Sequence, residues 1–531
     1  MKRDAAHLTD GAFDLLVVGG GIYGAWTAYT GALAGLKTAL IERGDWASGT
    51  SSASSKLIHG GLRYLEQMRF GLVRTSLDER KRLARLGPHR VAPLRFGLPV
   101  YSGDRVGRWR LKVGLTLYDA VAGNGQPVDR HRYAGRAAAL ARYPFLAEQG
   151  LEGVFTYGDC VTDDARFTLE IVDGAVAAGV VAANYVAAVR LLVQNGRAVG
   201  VAAADAVGKT EVEIRARVVV NAAGPWVPRT MAGAAAPDRL RLVKGVHLVM
   251  PPLPTADALL LFSRRDRRVF FVIPWYGRTL LGTTDTDYVG DPSEAVVERA
   301  DVEYLLTQAN RVLPGARWDE GSILGGFAGV RALQDEPGRP AESLSREWTL
   351  DSPMPGLLVS TGGKFTSARA DAATIVRRAL RELGGERGWR RPTDDRPLPW
   401  CPRGEPWEDW LERMTREGAR SGLDTETAAA IARRHGTRCG EVYAVAGQDG
   451  LARRIVAGLP FARAEIVHAA TAEGVVNLED ILRRRVPLLV LDRCDGGVLT
   501  DAAALAGEAL GWDSDRRQVE ARSVLAGRRG A

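Results

Sequence analysis

The chain has 531 residues, of which 46% are hydrophobic and 25% charged, a balance that excludes a disordered or collagen-like polymer and implies two or three folded domains. Lys and Arg number 71 against 63 Asp and Glu, for a formal charge of +8. That modest excess suits an anionic small molecule or an anionic lipid surface, though an Arg-rich solvated surface produces the same count.

The first dozen residues are polar and lack an apolar core, so no secretory signal is expected. Residues 13–18 form an apolar run ending in glycines and read as a buried parallel strand. Residues 25–35 read as a helix and 37–41 as a second strand with Glu42 at its end, which completes a β-α-β unit. Residues 186–193 and 198–203 flank Asn195-Gly196 as a hairpin, and 212–220 is an alternating strand. Residues 268–274 and 278–282 form another hairpin, 356–360 a strand and 368–383 a helix. Gly, Arg and Pro cluster over 384–402, and beyond them the periodicity is helical at 425–435, 461–473 and 478–485. The cysteines Cys160, Cys401, Cys439 and Cys494 are unclustered, so a reducing compartment is expected and no metal. No apolar run reaches the ~18 residues that span a bilayer, so membrane contact would be peripheral, and no nucleic-acid partner is expected.

Gly19-Gly20-Gly21-Ile22-Tyr23-Gly24 fits the GxGxxG dinucleotide turn. Gly19 permits the tight turn, Gly21 lets backbone approach a pyrophosphate, and Gly24 lets helix and strand pack closely. Glu42 is placed to accept both ribose hydroxyls of an adenosine. Two further glycine turns, at 221–224 and 361–364, each follow a strand and favour FAD over a nicotinamide cofactor.

Residues 50–66, which include Ser51, Ser52, Lys56, His59, Gly60, Arg63 and Tyr64, closely resemble the signature of the FAD-dependent glycerol-3-phosphate dehydrogenase family. Residues 163–166, 221–226, 243–247, 274–275, 282–285, 329–331 and 362–364 continue the resemblance in order, and 464–485 resembles that family's helical cap. The resemblance implies an α/β fold with a Rossmann-like FAD-binding domain of the glutathione-reductase/D-amino-acid-oxidase type. An antiparallel-sheet substrate domain is inserted in it, and a helical domain follows. The boundaries expected are 12–62, 151–235 and 325–385 for FAD, 63–150 and 236–324 for substrate, and 395–531 for the helical domain. The implied cofactor set is Gly19, Gly21, Gly24, Glu42, Ser51, Ser52, Lys56, His59, Gly60, Val186, Gly224, Gly363 and Thr366. Tyr64, Arg63, His247, Arg331, Arg346 and Lys364 would face substrate. Two positions depart from the pattern: Ala332 follows Arg331 where the family often has proline, and Val486-Pro487 ends the basic motif.

The chemistry implied is oxidation of sn-glycerol 3-phosphate to dihydroxyacetone phosphate, with electrons passed to a membrane quinone. Arg63 and Arg346 are candidates for the phosphate, because guanidinium binds it bidentately. Arg331 and Lys364 are candidates for polarising the C2 oxygen or orienting the phosphate, and His247 for general base. Asp285 and Asp287 are expected to cap a turn. Trp226, Trp275 and Phe327 are expected in the core. An oxygen-reducing glycerol-3-phosphate oxidase, an amine or amino-acid oxidase of the wider superfamily, and a catalytically silent flavin scaffold are the alternatives. Residues 105–118 are basic, and as a helix would align Trp109, Val113 and Leu117 in an apolar stripe for an anionic membrane surface. A cytoplasmic protein held peripherally at the inner face of the membrane is expected, with a homodimer possible.

Overall fold

The computed structural model describes residues 1–66, 69–104, 106–230, 240–263, 266, 268–336, 338, 344 and 347–528; the side chains of Arg63, Glu66 and residues 527–528 fall outside that description. Two sheets organise the chain. In the first, Phe13–Val18 lies between Thr210–Asn221 and Thr38–Ile41, with all three parallel, and Leu357–Thr361 extends the parallel set beyond Thr210–Asn221. The central strand is buried along almost its whole length, as a strand covered on both faces requires. Helices Ile22–Leu33, Asp164–Ala177 and Ala368–Glu382 pack their apolar faces into one core over it. The hairpin Val186–Gln194 with Arg197–Asp205 forms at Asn195-Gly196 as the turn chemistry demands.

The second sheet runs Thr286–Asp287, Leu240–Met250, Arg278–Gly282, Val269–Trp275, Ala258–Phe262, Ala92–Tyr101, Leu151–Val161, Leu57–Ile58. Every pairing is antiparallel except that of Ala258–Phe262 with Ala92–Tyr101. Gly325–Gln334 lies antiparallel along Leu240–Met250. By their hydrogen bonds, Leu57–Ile58, Leu151–Val161 and Gly325–Gln334 belong here, although the sequence boundaries assigned all three to the FAD-binding segments. Their partners are distant in sequence, and no local signal assigns them.

The C-terminal helices include Thr425–His435, Arg463–Ala472 and Gly496–Leu510. The helix expected over 478–485 instead divides into a short α turn, Leu478–Asp480, and a π turn, Ile481–Arg485. The wider turn directs Arg484 and Arg485 to the buried carboxylate of Asp45, far away in the first sheet's loops. A second buried pair joins the same parts: Arg166 donates to both oxygens of Glu473 at 2.6 and 2.9 Å. His435 and His468 gather beside Glu473, and Arg166 supplies the positive charge there. All four cysteines are buried. Among the described residues no helix is long and apolar enough to cross a membrane.

Candidate active site

A cavity of about 1090 Å³ opens where the carboxyl ends of the first sheet meet the second sheet. One end is built by the glycine turn. Gly19 has φ +114°, and a Cβ there would sit 2.6 Å from the Ala222 carbonyl oxygen; a Cβ on Gly24 would sit 1.7 Å from the Gly19 oxygen. Gly24 thus serves helix–strand packing and does not line the cavity, whereas Gly19 and Gly21 do. The amide of Ile22 donates to Ser51 Oγ at 2.9 Å, holding the helix N-terminus against the loop that follows Glu42. Glu42 accepts from the amides of Gly20 at 2.6 Å and Gly44 at 2.8 Å. Burial raises its carboxyl above the ordinary value, and these two donors oppose that shift. The glycine cradle, the helix N-terminus and the braced carboxylate fit the pyrophosphate and ribose of a dinucleotide.

Ser52, His59, Val186, Gly224, Gly363 and Thr366 also line the cavity. The amide of His59 donates to Thr366 Oγ1 at 3.2 Å, which ties the 50–66 block to the third glycine turn. Lys364 is fixed in that turn because its amide donates to Tyr23 Oη, 3.1 Å, which in turn donates to Asp371 at 2.7 Å. The Asp371 carboxyl is pushed up to about 6, chiefly by burial. The Lys364 ammonium lies 3.7 Å over the ring of Tyr64, and both residues line the cavity.

Two further residues expected at the cofactor do not line the cavity. Lys56 is buried, and its ammonium pairs with Asp164 at 2.6 Å and donates to the Ser52 carbonyl at 2.5 Å. It braces the serine loop from behind and is not a cavity residue. Gly60 is also behind the wall: its amide donates to Tyr118 Oη at 3.1 Å and to Asp159 at 3.2 Å. A Cβ there would come within 2.4 Å of Tyr118 Oη, so glycine is required for that contact.

The other end of the cavity carries His247, Arg331 and the apolar side chains Phe96, Leu260 and Phe271. His247 stacks on Phe327, with ring centroids 4.9 Å apart, and its Nε2 lies 2.9 Å from Ser55 Oγ. Phe327 is buried in the core as expected, and its ring also faces the imidazole. Burial, then the charges of Arg331 and Lys56, push the imidazole down to about 3, so it is neutral at physiological pH.

Arg331 crosses over Gly245, where a Cβ would lie 1.7 Å from its Nη2. The glycine of the Lys244-Gly245 pair is thereby explained, while Lys244 itself is tied to Glu298 and Asp301, each at 2.7 Å. Arg331 pairs with Asp285 and donates to Thr283 Oγ1 at 2.8 Å. Asp285, expected to cap a turn, is the buried carboxylate that aims Arg331, and Asp287 pairs with Arg241. Pairing across a sheet is invisible in sequence, so this role was not read there. Ala332 keeps its place in the ladder opposite Leu242, so the lost proline does not displace Arg331. Arg346 and the side chain of Arg63 lie outside the described residues.

Three groups that sequence reasoning missed line the adenosine-side wall: Tyr185, Arg483 and Arg484. The last two belong to the basic motif read as part of a cap.

Residues 14–378 match the model of the FAD dependent oxidoreductase family, and 393–517 match the C-terminal domain of alpha-glycerophosphate oxidase. The chain is 35% identical over 517 residues to "Glycerol-3-phosphate dehydrogenase 2" of Mycobacterium bovis, covering 95% of this chain and 86% of that protein. It is 33% identical to the glycerol-3-phosphate dehydrogenase of a Synechocystis strain, with 97% and 96% covered. Among solved structures, the glycerol-3-phosphate dehydrogenase from Bacillus halodurans complexed with FAD superposes with a TM-score of 0.80 at 27% identity, covering 99% and 96%.

Proposed function

This chain belongs to the FAD-dependent glycerol-3-phosphate dehydrogenase family, and we propose that it oxidises sn-glycerol 3-phosphate to dihydroxyacetone phosphate and delivers the electrons to a quinone in the membrane. The observation that carries the substrate half is that Arg331, Lys364 and neutral His247 line the same cavity as a dinucleotide cradle. FAD, when bound, supplies the hydride acceptor at its N5. Gly19, Gly21, Glu42, Ser51, Ser52, His59, Val186, Gly224, Gly363 and Thr366 would hold it.

Arg331, pre-aimed by Asp285 and Thr283, offers a planar guanidinium to the phosphate or the C2 oxygen. Lys364 adds a second cation to the cavity wall. His247 Nε2 accepts the C2 hydroxyl proton, with Ser55 Oγ giving up its place to the substrate hydroxyl. Burial is the larger cause of the depressed imidazole, and a dianionic phosphate beside Arg331 offsets the smaller part that Arg331 contributes. Tyr64 completes the substrate wall. Arg63 and Arg346 belong to the same proposal through the motif alone.

The acceptor half is supported by the helix Arg108–Ala122. Its inward face is Leu111, Leu115 and Tyr118, whereas Trp109, Val113 and Leu117 are 69%, 67% and 38% exposed. Arg108 and Lys112 flank the Trp109 ring at 5.9 and 5.2 Å. An exposed apolar stripe rimmed by cations suits the interface of an anionic membrane, where a lipid-soluble quinone is reached from the inner face.

The test compares glycerol 3-phosphate, glycerol and amino acids with an artificial acceptor, then replaces the acceptor with quinone in vesicles. Turnover of glycerol 3-phosphate alone, passed to quinone without peroxide release, is expected. Turnover of amino acids overturns the substrate reading, and stoichiometric peroxide overturns the acceptor reading.

A further inference from the structure

The cavity has two walls of different origin at the Glu42 end. One comes from the first sheet and its loops: Glu42, Arg43, Asp45, Tyr185 and Val186. The other comes from the C-terminal helical segment: Glu479, Asp480, Arg483 and Arg484. The second wall is bolted to the first by buried contacts. Arg484 donates from Nε to Asp45 Oδ2 at 2.5 Å and from Nη2 to Asp480 Oδ1 at 2.9 Å. Arg485 donates to Asp45 Oδ1 at 2.9 Å and to the Glu473 carbonyl at 2.8 Å. Tyr185 Oη donates to Asp480 at 2.6 Å, and the Asn477 amide donates to Tyr185 at 3.0 Å. Asn184 donates to the Gly474 carbonyl at 2.9 Å.

Asp45 lies three residues after Glu42, the carboxylate suited to a ribose, so the bolt is seated at the adenosine end and not at the reacting end. We infer that the segment 474–485 closes the adenosine end of the FAD site, making the C-terminal domain a clamp on the ADP half of the cofactor. Arg484 positions this wall through Asp45 and Asp480. Arg483, a third exposed and held by Glu479 at 2.8 Å, brings a cation to the same wall. The chemical class recognised is an adenine nucleotide diphosphate moiety, and the clamp acts by slowing its escape.

The experiment uses the holoenzyme and follows free-flavin fluorescence after dilution. Arg484→Met should release FAD about tenfold faster, and Arg483→Gln about threefold faster with the difference shrinking at high salt. Met414→Ala is the control, because Met414 packs in the C-terminal core with Trp410 and Tyr443, away from the cavity. It should lower the melting temperature while leaving release within about twofold of wild type. Turnover at saturating FAD should be retained in Met414→Ala. Release that tracks melting temperature across the three variants overturns the clamp, as does unchanged release in Arg483→Gln. If Arg484→Met does not fold, Arg483→Gln against Met414→Ala decides the question alone.

Discussion

Replacing Trp109 and Leu117 together by Glu tests the membrane half of the proposed function, and its size follows from exposure. A tryptophan presents up to about 250 Å². With Trp109 69% exposed, about 170 Å² is open to insertion, worth about 4 kcal/mol at ~25 cal/mol per Å². Leu117, 38% exposed, adds about 1 kcal/mol. The double variant removes about 5 kcal/mol of available transfer energy and places two carboxylates among Arg108, Arg110 and Lys112, so partitioning should fall by roughly a thousandfold or more. The assay is co-sedimentation with vesicles containing anionic lipid at low salt, alongside quinone reduction in the same vesicles. Wild type should pellet and release at high salt. The variant should stay in the supernatant, keep its flavin and still reduce an artificial acceptor, since Leu111, Leu115 and Tyr118 hold the helix from its other face. Wild type that does not bind vesicles at low salt, or a variant that reduces membrane quinone at the wild-type rate, refutes the reasoning.

Arg331→Lys should cost about 2–4 kcal/mol in kcat/KM for the phosphate ester and far less for glycerol, and equal losses would make Arg331 structural. His247→Gln, which retains a polar partner for Ser55, should lower kcat by about a hundredfold or more while flavin absorbance is kept. Gly24→Ala places a Cβ 1.7 Å from the Gly19 oxygen and should reduce the FAD-to-protein absorbance ratio, with about 1–3 kcal/mol lost in urea unfolding. Asp371 has its folded pKa raised from 3.8 to about 6, so the folded state keeps the proton longer. Stability is then highest below the unfolded value and falls as pH rises through 6, by up to about 3 kcal/mol. Asp371→Asn should remove that share of the difference between unfolding at pH 4 and at pH 7.5.

The first β-α-β unit was legible because everything that defines it is local. The strand Phe13–Val18 stands where its apolar run is, and the glycine turn and Glu42 follow within one unit. The second sheet was largely illegible because its ladders join segments far apart. Leu240–Met250 pairs with Gly325–Gln334, and Ala92–Tyr101 with Leu151–Val161, so no window of sequence contains both partners. The same limit explains the site. His247, Arg331 and Lys364 were marked by motifs and do share a cavity. Lys56 was marked by the same kind of motif yet turns away, because Asp164 takes its ammonium and only the fold brings that carboxylate near. Arg484 and Arg485 read as cap residues since Asp45, their partner, lies near the opposite end of the chain.

The helix Arg108–Ala122 carries more than its exposed stripe. On its inner side Tyr118 donates to both oxygens of Asp159, and that carboxylate is paired with the buried guanidinium of Arg80. The same hydroxyl accepts from Gly60, next to His59 on the cavity wall. Cutting the helix out would therefore strip the lid from an internal ion pair and unseat the loop on the cavity wall. The outer face can be altered only residue by residue, with the helix left in place.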